Sequence, residues 1–169
     1  MKRLNLDKLR LRPLSERISK SDLSIMVDPD SPPPELPGLY RAGNPSRIEI
    51  IAEKVREARM GDRPVVWAFG AHLIKNGLSP IMIRLMEEGY VQHMLTNGAA
   101  TIHDWEFAYQ GRTEEDVERY LAEGQFGLWE ETGVYLNKAL AQGLVYQEGC
   151  GASVGRFISE DGTNEEIVE

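Results

Sequence analysis

The length, composition and charge of this chain limit the classes of protein to which it can belong. Its 169 residues suit one domain, and an α/β domain of this size buries roughly two-thirds of the surface that its unfolded chain exposes. The chain has 19 Lys and Arg residues against 27 Asp and Glu residues, for a net charge of −8. Because the basic residues are scattered along the chain, we expect no nucleic-acid partner.

The cysteine content and the first residues both indicate an intracellular protein. Cys150 is the single cysteine, so no internal disulfide can form. The opening residues, MKRLNLDKLRLRPLSER, are charged and lack the apolar core of a signal peptide. No stretch approaches about 18 uninterrupted apolar residues. We therefore expect a cytoplasmic protein that does not interact with a membrane.

Prolines and glycines divide the chain into three parts. The stretch DPDSPPPELP, residues 28–37, contains five prolines, which remove backbone donors and hold the chain extended. Residues 1–43 are therefore assigned to an N-terminal arm with a proline-rich linker. Residues 44–145 are assigned to an α/β domain, and residues 146–169 to a Gly-rich and acidic C-terminal tail.

The middle of the chain predicts a strand–helix–strand unit that follows a first helix. Asn44-Pro45 joins an N-cap to a residue that suits the first helical position, so a helix is expected to run to about Gly61. The apolar runs at 64–70 and 90–96 predict buried strands, and Ser79-Pro80 opens a helix between them. Short joints predict a βαβ unit with parallel strands and a right-handed crossover. The apolar face of the first helix comprises Ile48, Ile51, Ala52, Val55 and Ala58.

Helices are predicted to dominate the rest of the domain. One runs from about Thr101 to Gly111, and Thr113 with Asp116 resembles a capping box that opens a second. Leucines at helical spacing outline a third, ending at Gly143. The pattern therefore predicts an α/β layer with two visible strands, room for one or two more, and flanking helices.

The two turns that follow the predicted strands are the candidate ligand site, because ligands in open α/β sheets bind at the carboxyl ends of the strands. In TNGAATIHD, 96–104, Gly98 and Ala99 leave the backbone bare enough for a phosphate or a flat ring to approach. The common dinucleotide and phosphate-loop motifs are absent. Two alternatives stay open: small residues that only let the helix pack against the sheet, and an Asn97 that only caps the helix.

His103 and Asp104 are the candidate catalytic residues. A His–Asp pair near the mouth of the crevice can fix a tautomer or move a proton, each side chain orienting the other. Alternatively, Asp104 and Glu106 only meet the helix macrodipole, which leaves His103 unexplained. In the first turn, Lys75 could meet an anion and His72 could donate to one. The alternatives are that the Lys is only solvated, as exposed lysines usually are, and that the His is structural, as lone histidines more often are. Asn76-Gly77 is also a plain turn signal.

No metal site or cysteine nucleophile is expected. His72, His93 and His103 lack the tight spacing of metal ligands. Cys150 has no histidine near it in the sequence to activate it. The three tryptophans are read as core residues, although Trp105 could line a pocket beside His103.

Several motifs, in order, resemble the bacterial and archaeal branch of the deoxyhypusine synthase family. The resemblance covers roughly residues 13–142. Its motifs are PLSER (13–17), RPVVWAFGAHLIKNGLSP (63–80), MLTNGAATIHDWEFAYQGRTEEDV (94–117) and FGLWEETGVYLNKAL (126–140).

The resemblance implies a Rossmann-like parallel sheet with flanking helices, an NAD cofactor, and active sites formed between subunits of a dimer or tetramer. Such enzymes oxidise spermidine with NAD and transfer an aminobutyl group, through a lysine, to a lysine or amine acceptor. The first NAD-contacting turn falls on His72, Lys75 and Asn76. The small-residue turn falls on Asn97, Gly98 and Ala99. An acidic pair near the nicotinamide ribose falls on His103 and Asp104, where His replaces one acid.

This sequence also departs from the family. The related enzymes exceed about 300 residues, and their substrate-binding acids and acceptor lysine lie in a later half that we expect a second chain or oligomer contacts to replace. Lys54, Lys75 and Lys138 do not match the context of the catalytic lysine. Two other functions stay open: an NAD-dependent oxidoreductase or lyase acting on a small amine or amino acid, and a non-catalytic Rossmann-like assembly subunit.

Overall fold

The structure is a computed structural model in which residues 8–31 and 47–160 are described. The chain divides into two compact units. The central unit is Met26–Asn97, and the helical unit is Met1–Ile25 together with Gly98–Glu169. The domain predicted over 44–145 is therefore divided between Asn97 and Gly98, and the described part of the predicted arm contributes to both units.

The described residues form a mixed α/β structure. In chain order its strands and helices are β1 (Ser19–Asp22), α1 (Arg47–Met60), β2 (Val66–Ala68), α2 (Ala71–Lys75), α3 (Ser79–Glu87), β3 (His93–Leu95), α4 (Gly98–Gln110), β4 (Arg112–Glu115), α5 (Val117–Ala122), α6 (Glu130–Tyr146) and α7 (Cys150–Glu160). None of these helices is long and apolar enough to cross a membrane.

The central unit contains the predicted parallel pair of strands. β2 and β3 pair in parallel, with Val66 opposite His93 and Ala68 opposite Leu95, which confirms the strand–helix–strand prediction. α3 begins at Ser79 with Pro80 in its first turn, but its N-cap is Leu78, without a side-chain cap bond, so Ser79 is not the cap that the Ser-Pro pattern predicts. The short helix α2 was not predicted. The N-cap proposed at Asn44 lies outside the described residues.

The helical unit has an aromatic core between α4, α6 and α7. Trp105 stacks on Tyr109 with 4.7 Å between ring centroids, and Tyr135 packs against both rings. Phe157 of α7 is fully buried in the same core. The prediction of a C-terminal tail is therefore wrong for residues 150–160, because an apolar stripe of α7 completes this core.

The second pair of strands was not predicted. β1 and β4 pair antiparallel in the helical unit, with Ser19 opposite Glu115 and Asp22 opposite Arg112. Their sequences, SKSD and RTEE, have no apolar alternation that would mark a strand. Among the described residues there are thus two sheets of two strands each, and neither supplies the third or fourth parallel strand that was expected.

Two predicted helix ends lie elsewhere. Thr113 belongs to β4, and Asp116 is the N-cap of α5, where its Oδ1 accepts the Arg119 N–H at 3.0 Å. α6 does not end at Gly143, which lies inside the helix. A Cβ at Gly143 would overlap the side chain of Ser153 in α7, so this glycine permits close packing of the two helices.

Candidate functional site

A fully buried carboxylate, Glu106 of α4, is the centre of the polar interior of the helical unit. Arg17 donates to it twice, from Nη1 to Oε1 at 2.8 Å and from Nη2 to Oε2 at 2.7 Å. Thr113 Oγ1 donates to Oε2 at 2.6 Å, and Thr132 Oγ1 donates to Oε1 at 2.8 Å. These four charge-assisted hydrogen bonds compensate the cost of removing the carboxylate from water.

His103, one helical turn before Glu106, extends this arrangement toward the surface. Its Nδ1 lies 2.7 Å from Thr113 Oγ1, and the ring is half-buried. Residues three apart on a helix share a face, so α4 places His103 and Glu106 where one threonine of β4 can contact both. We call Arg17, His103, Glu106, Thr113 and Thr132 the Glu106 cluster.

Backbone contacts from distant segments fix the arginine of the cluster. Arg17 directly follows a short 3-10 turn, Leu14–Glu16. The N–H of Leu14 donates to the Glu131 carboxylate at 2.5 Å, and the N–H of Ile18 donates to the Tyr120 hydroxyl at 2.8 Å. The part of the predicted arm around Arg17 is therefore anchored to α6 and α5. Its guanidinium also lies 5.7 Å from the centroid of a Trp129 ring.

Asp104 follows His103 in α4, but the two side chains have different surroundings. The Asp104 residue reaches solvent, yet burial of its carboxyl by neighbouring protein atoms raises its pKa above the usual value. Successive residues of a helix do not face each other, so the predicted mutual orientation of His103 and Asp104 does not fit this geometry. Thr113 is the residue that orients His103.

The small-residue stretch begins α4. Gly98 and Ala99 are exposed in its first turn, whereas Ala100 is buried. A helix N-terminus presents unpaired backbone N–H groups, which suits an anion and equally suits a simple helix start. Asn97 is the last residue of the central unit, where its side chain lies near Gly70, at the start of α2.

The other predicted cofactor residues lie in and after α2 of the central unit. His72 is exposed and Lys75 is half-buried. Asn76 is the C-cap, and its N–H bonds to the carbonyl of His72 at 3.2 Å. Gly77 follows with φ of 77°, a left-handed conformation that ends the helix. The alternative reading of Asn76-Gly77 as a turn is thus confirmed.

The central unit also has an apolar groove of about 580 Å³. It lies between α1, β2, the end of α3 and the residues that precede β3. Val66 is 52% exposed and Ile51 is 61% exposed, so apolar surface remains open to solvent. The residues that line the groove include Ile51, Val55, Val66, Trp67, Leu85 and Val91.

Sequence reasoning missed four members of the Glu106 cluster as site residues: Arg17, Glu106, Thr113 and Thr132. Each lies in a motif of the family resemblance: Arg17 in PLSER (13–17), Glu106 and Thr113 in the motif at 94–117, and Thr132 in the motif at 126–140. The one local signal was the position of Glu106 between the large apolar residues Trp105 and Phe107. A carboxylate so placed is buried with its neighbours unless the helix turns that face to water.

The remaining residues considered for chemistry are Cys150 and possible metal ligands. Cys150 is exposed at the first position of α7. Within residues 8–31 and 47–160, no group of three or more His, Cys, Asp or Glu side chains could hold a metal ion.

No protein-family model matches the chain, and no curated protein or solved structure matches it either.

Proposed function

We propose that this chain is a deoxyhypusine synthase-like protein or subunit, with a Rossmann-like fold, that binds NAD and acts on a polyamine such as spermidine. The observation that supports the proposal is the Glu106 cluster. Residues from separate motifs of the family resemblance donate hydrogen bonds to one buried carboxylate, that of Glu106. His103 contacts Thr113, which is one of these donors. An active site requires neighbouring side chains that hold its catalytic residue in place, and these motifs supply such neighbours for His103.

The proposed roles follow the resemblance. The resemblance assigns seven residues to the cofactor: His72, Lys75, Asn76, Asn97, Gly98, Ala99 and Asp104. Of these, Gly98 and Ala99 leave the backbone of the first turn of α4 bare enough to receive a phosphate or the ribose. His103 and Asp104 are the proposed catalytic residues.

NAD, when bound, supplies the hydride acceptor for oxidation of an amine. The protein must then remove a proton from the substrate nitrogen, and we assign that role to His103, because a neutral imidazole nitrogen can accept a proton. Lys54, Lys75 and Lys138 do not match the context of the family's catalytic lysine, so we propose that the group-transfer step uses a lysine of another chain. The present chain would contribute cofactor binding and proton transfer.

Thermal unfolding with and without NAD tests the proposal. A ligand at about 100 times its dissociation constant stabilises the folded state by roughly 2.7 kcal/mol, so a clear rise in Tm is expected. Asp104→Ala should reduce the rise, whereas Glu118→Ala, an exposed change in α5, should not. The proposal fails if NAD gives no stabilisation and no nucleotide is found by mass spectrometry. NADH formation with spermidine, ornithine and arginine then separates polyamine oxidation from the small-amine alternative.

A second function, that of an assembly subunit, is favoured by the apolar surface of the central unit. α1 lines the groove and also carries Ile48 and Ile51, which are 66% and 61% exposed. A second copy of this chain is the occupant we propose, because a two-fold contact would bury the same isoleucines of both copies. Ile51→Asp should then convert a dimer to a monomer in sedimentation experiments, whereas a wild-type monomer would contradict this function.

A further inference from the structure

We propose that the buried Arg17–Glu106 pair, acting through Thr113, holds His103 in the tautomer that carries its proton on Nδ1. Nε2 is then the nitrogen that accepts a proton in neutral His103. Thr113 and Glu106 are positioning residues in this scheme. The identity of the group that gives its proton to Nε2 rests on the proposed function, but the tautomer does not.

The direction of the first hydrogen bond follows from Glu106. Both of its oxygens receive N–H groups of Arg17, at 2.8 and 2.7 Å, which is the pattern of an ionised carboxylate. An ionised carboxylate only accepts hydrogen bonds. The 2.6 Å contact between Glu106 Oε2 and Thr113 Oγ1 therefore uses the single hydrogen of the threonine hydroxyl.

The direction of the second hydrogen bond follows from the first. With its hydrogen directed at Glu106, Thr113 Oγ1 has only lone pairs to offer to His103 Nδ1 at 2.7 Å. Nδ1 must therefore be the donor. The opposite arrangement would place the threonine oxygen 2.6 Å from a carboxylate oxygen with no hydrogen between them.

The hydrogen bonds that run from Arg17 through Glu106 and Thr113 to His103, here called the relay, are held rigidly enough to select one tautomer. Thr113 and Glu106 are fully buried, and Arg17 is 5% exposed. Thr113 is further fixed by the pairing of β4 with β1, opposite Ser21. A histidine side chain in water prefers the tautomer protonated on Nε2. The Glu106 cluster therefore reverses the tautomer preference of an unconstrained histidine. Selecting this tautomer is the role that we assign to the buried ion pair.

In the proposed reaction this tautomer has a definite use. A substrate CH–NH₂⁺ group loses one proton from nitrogen and one hydride from carbon, and the electron pair left on nitrogen forms the C=N bond of an iminium ion. NAD, when bound, would supply the acceptor for that hydride. The proton goes to Nε2 of His103, and the resulting imidazolium keeps its Nδ1–H bond to Thr113.

Nitrogen NMR of histidine measures the tautomer without any cofactor. The chain has three histidines, so ¹⁵N-histidine labelling gives few signals, and loss of one set in His103→Gln assigns them. At about pH 8.5, where an ordinary histidine is neutral, long-range proton–nitrogen correlations distinguish Nδ1–H from Nε2–H. We expect wild-type His103 to show predominantly Nδ1–H. A predominantly Nε2–H signal in the wild type would overturn the proposal.

Matched variants test whether the relay is the cause. Thr113→Val removes the hydroxyl at nearly constant volume and should shift His103 toward Nε2–H, whereas Thr113→Ser should retain Nδ1–H. Thr132→Val removes a different hydrogen bond to Glu106 and should leave the tautomer unchanged. An unshifted His103 in a folded Thr113→Val protein would also overturn the proposal. If the tautomer is Nδ1–H but NAD does not bind, only the proposed function fails.

Discussion

Arg17 and Glu106 lie 89 positions apart in the sequence and form a buried ion pair with two hydrogen bonds. Their side chains are 2% and 1% exposed. A pair of this kind contributes little net stability compared with apolar residues of the same shape, because both charges lose their hydration. Its value in this protein lies in the geometry that it imposes on Thr113 and His103.

Removal of the arginine should be strongly destabilising. Arg17→Met leaves the Glu106 carboxylate buried with two hydroxyl donors and no positive charge, so we expect a loss of about 3–5 kcal/mol of unfolding free energy in urea titrations. Arg12→Met is the matched control, because Arg12 pairs with Glu123 at an exposed site. Its unfolding midpoint should be close to that of the wild type. Equal losses in the two variants would contradict the role of the buried pair.

Asp104→Asn should stabilise the protein at neutral pH. Burial raises the pKa of Asp104 in the folded state above its usual value of 3.8, so the folded state binds this proton more tightly than the unfolded chain does. The wild type therefore loses stability as the pH rises through the folded-state pKa. Tm measured across acidic and neutral pH should show the advantage of the variant at pH 7 and its disappearance below about pH 3.8. A pH-independent difference would contradict this assignment.

Asp116→Ala should show the opposite sign. The Arg119 N–H, followed by Lys20, lowers the pKa of Asp116, so its contribution is present above the ordinary pKa and is lost as the pH falls through the folded-state value. The variant should be less stable than the wild type at pH 7, and the deficit should shrink in acid. Far-UV circular dichroism during thermal unfolding measures both series, and a constant deficit would mean that the cap acts without its charge.

Two glycines of α6 should respond in opposite directions to the same change. A Cβ at Gly143 would overlap Ser153, so Gly143→Ala should cost about 1–3 kcal/mol despite the better helix propensity of alanine. At Gly133 nothing lies within 4 Å of the added Cβ, so Gly133→Ala should stabilise by roughly 0.5–1 kcal/mol. Urea unfolding measures both changes. Stabilisation by Gly143→Ala would mean that α6 and α7 do not pack this closely.

Phe157→Ala tests whether α7 belongs to the folded core. The side chain is fully buried, so its removal should cost about 3–5 kcal/mol. Leu144→Ala in α6 removes a side chain that is 81% exposed and should change the unfolding free energy by less than about 0.5 kcal/mol. If Phe157→Ala were as mild as Leu144→Ala, the C-terminal segment would be a tail, as its composition suggested.

The predictions for the central unit succeeded where the signal was local. Proline next to a capping position, and an apolar run bounded by Pro64 and Gly70, report on hydrogen bonding and burial within a few residues. The β2–β3 pair agrees with them, and α3 begins within one residue of the predicted position, with Leu78 rather than Ser79 as its N-cap. β1 and β4 were missed because their polar sequences pair through the backbone, and backbone hydrogen bonds leave no pattern of side chains.

The cofactor residues and the proposed activity remain predictions. Their support is a resemblance spread over four motifs, together with the finding that residues of three of these motifs meet at Glu106. The predicted residues His103 and Asp104 lie in the middle of α4, because the helix begins at Gly98. The structure adds Thr113 as a contact of His103 Nδ1, which could not be predicted because the two residues belong to different elements.

The sequence by itself determined α1, α3 and the parallel β2–β3 pair of the central unit, and it marked residues 96–106, TNGAATIHDWE, as the stretch most able to carry chemistry. Only the tertiary structure decided that Glu106 is buried, that Thr113 is a strand residue rather than a helix cap, and that Arg17 lies beside both. The physical reason is that periodicity and capping act over a few residues, whereas a buried charge is satisfied by whichever donors the fold brings to it. For Glu106 those donors lie 7, 26 and 89 positions away.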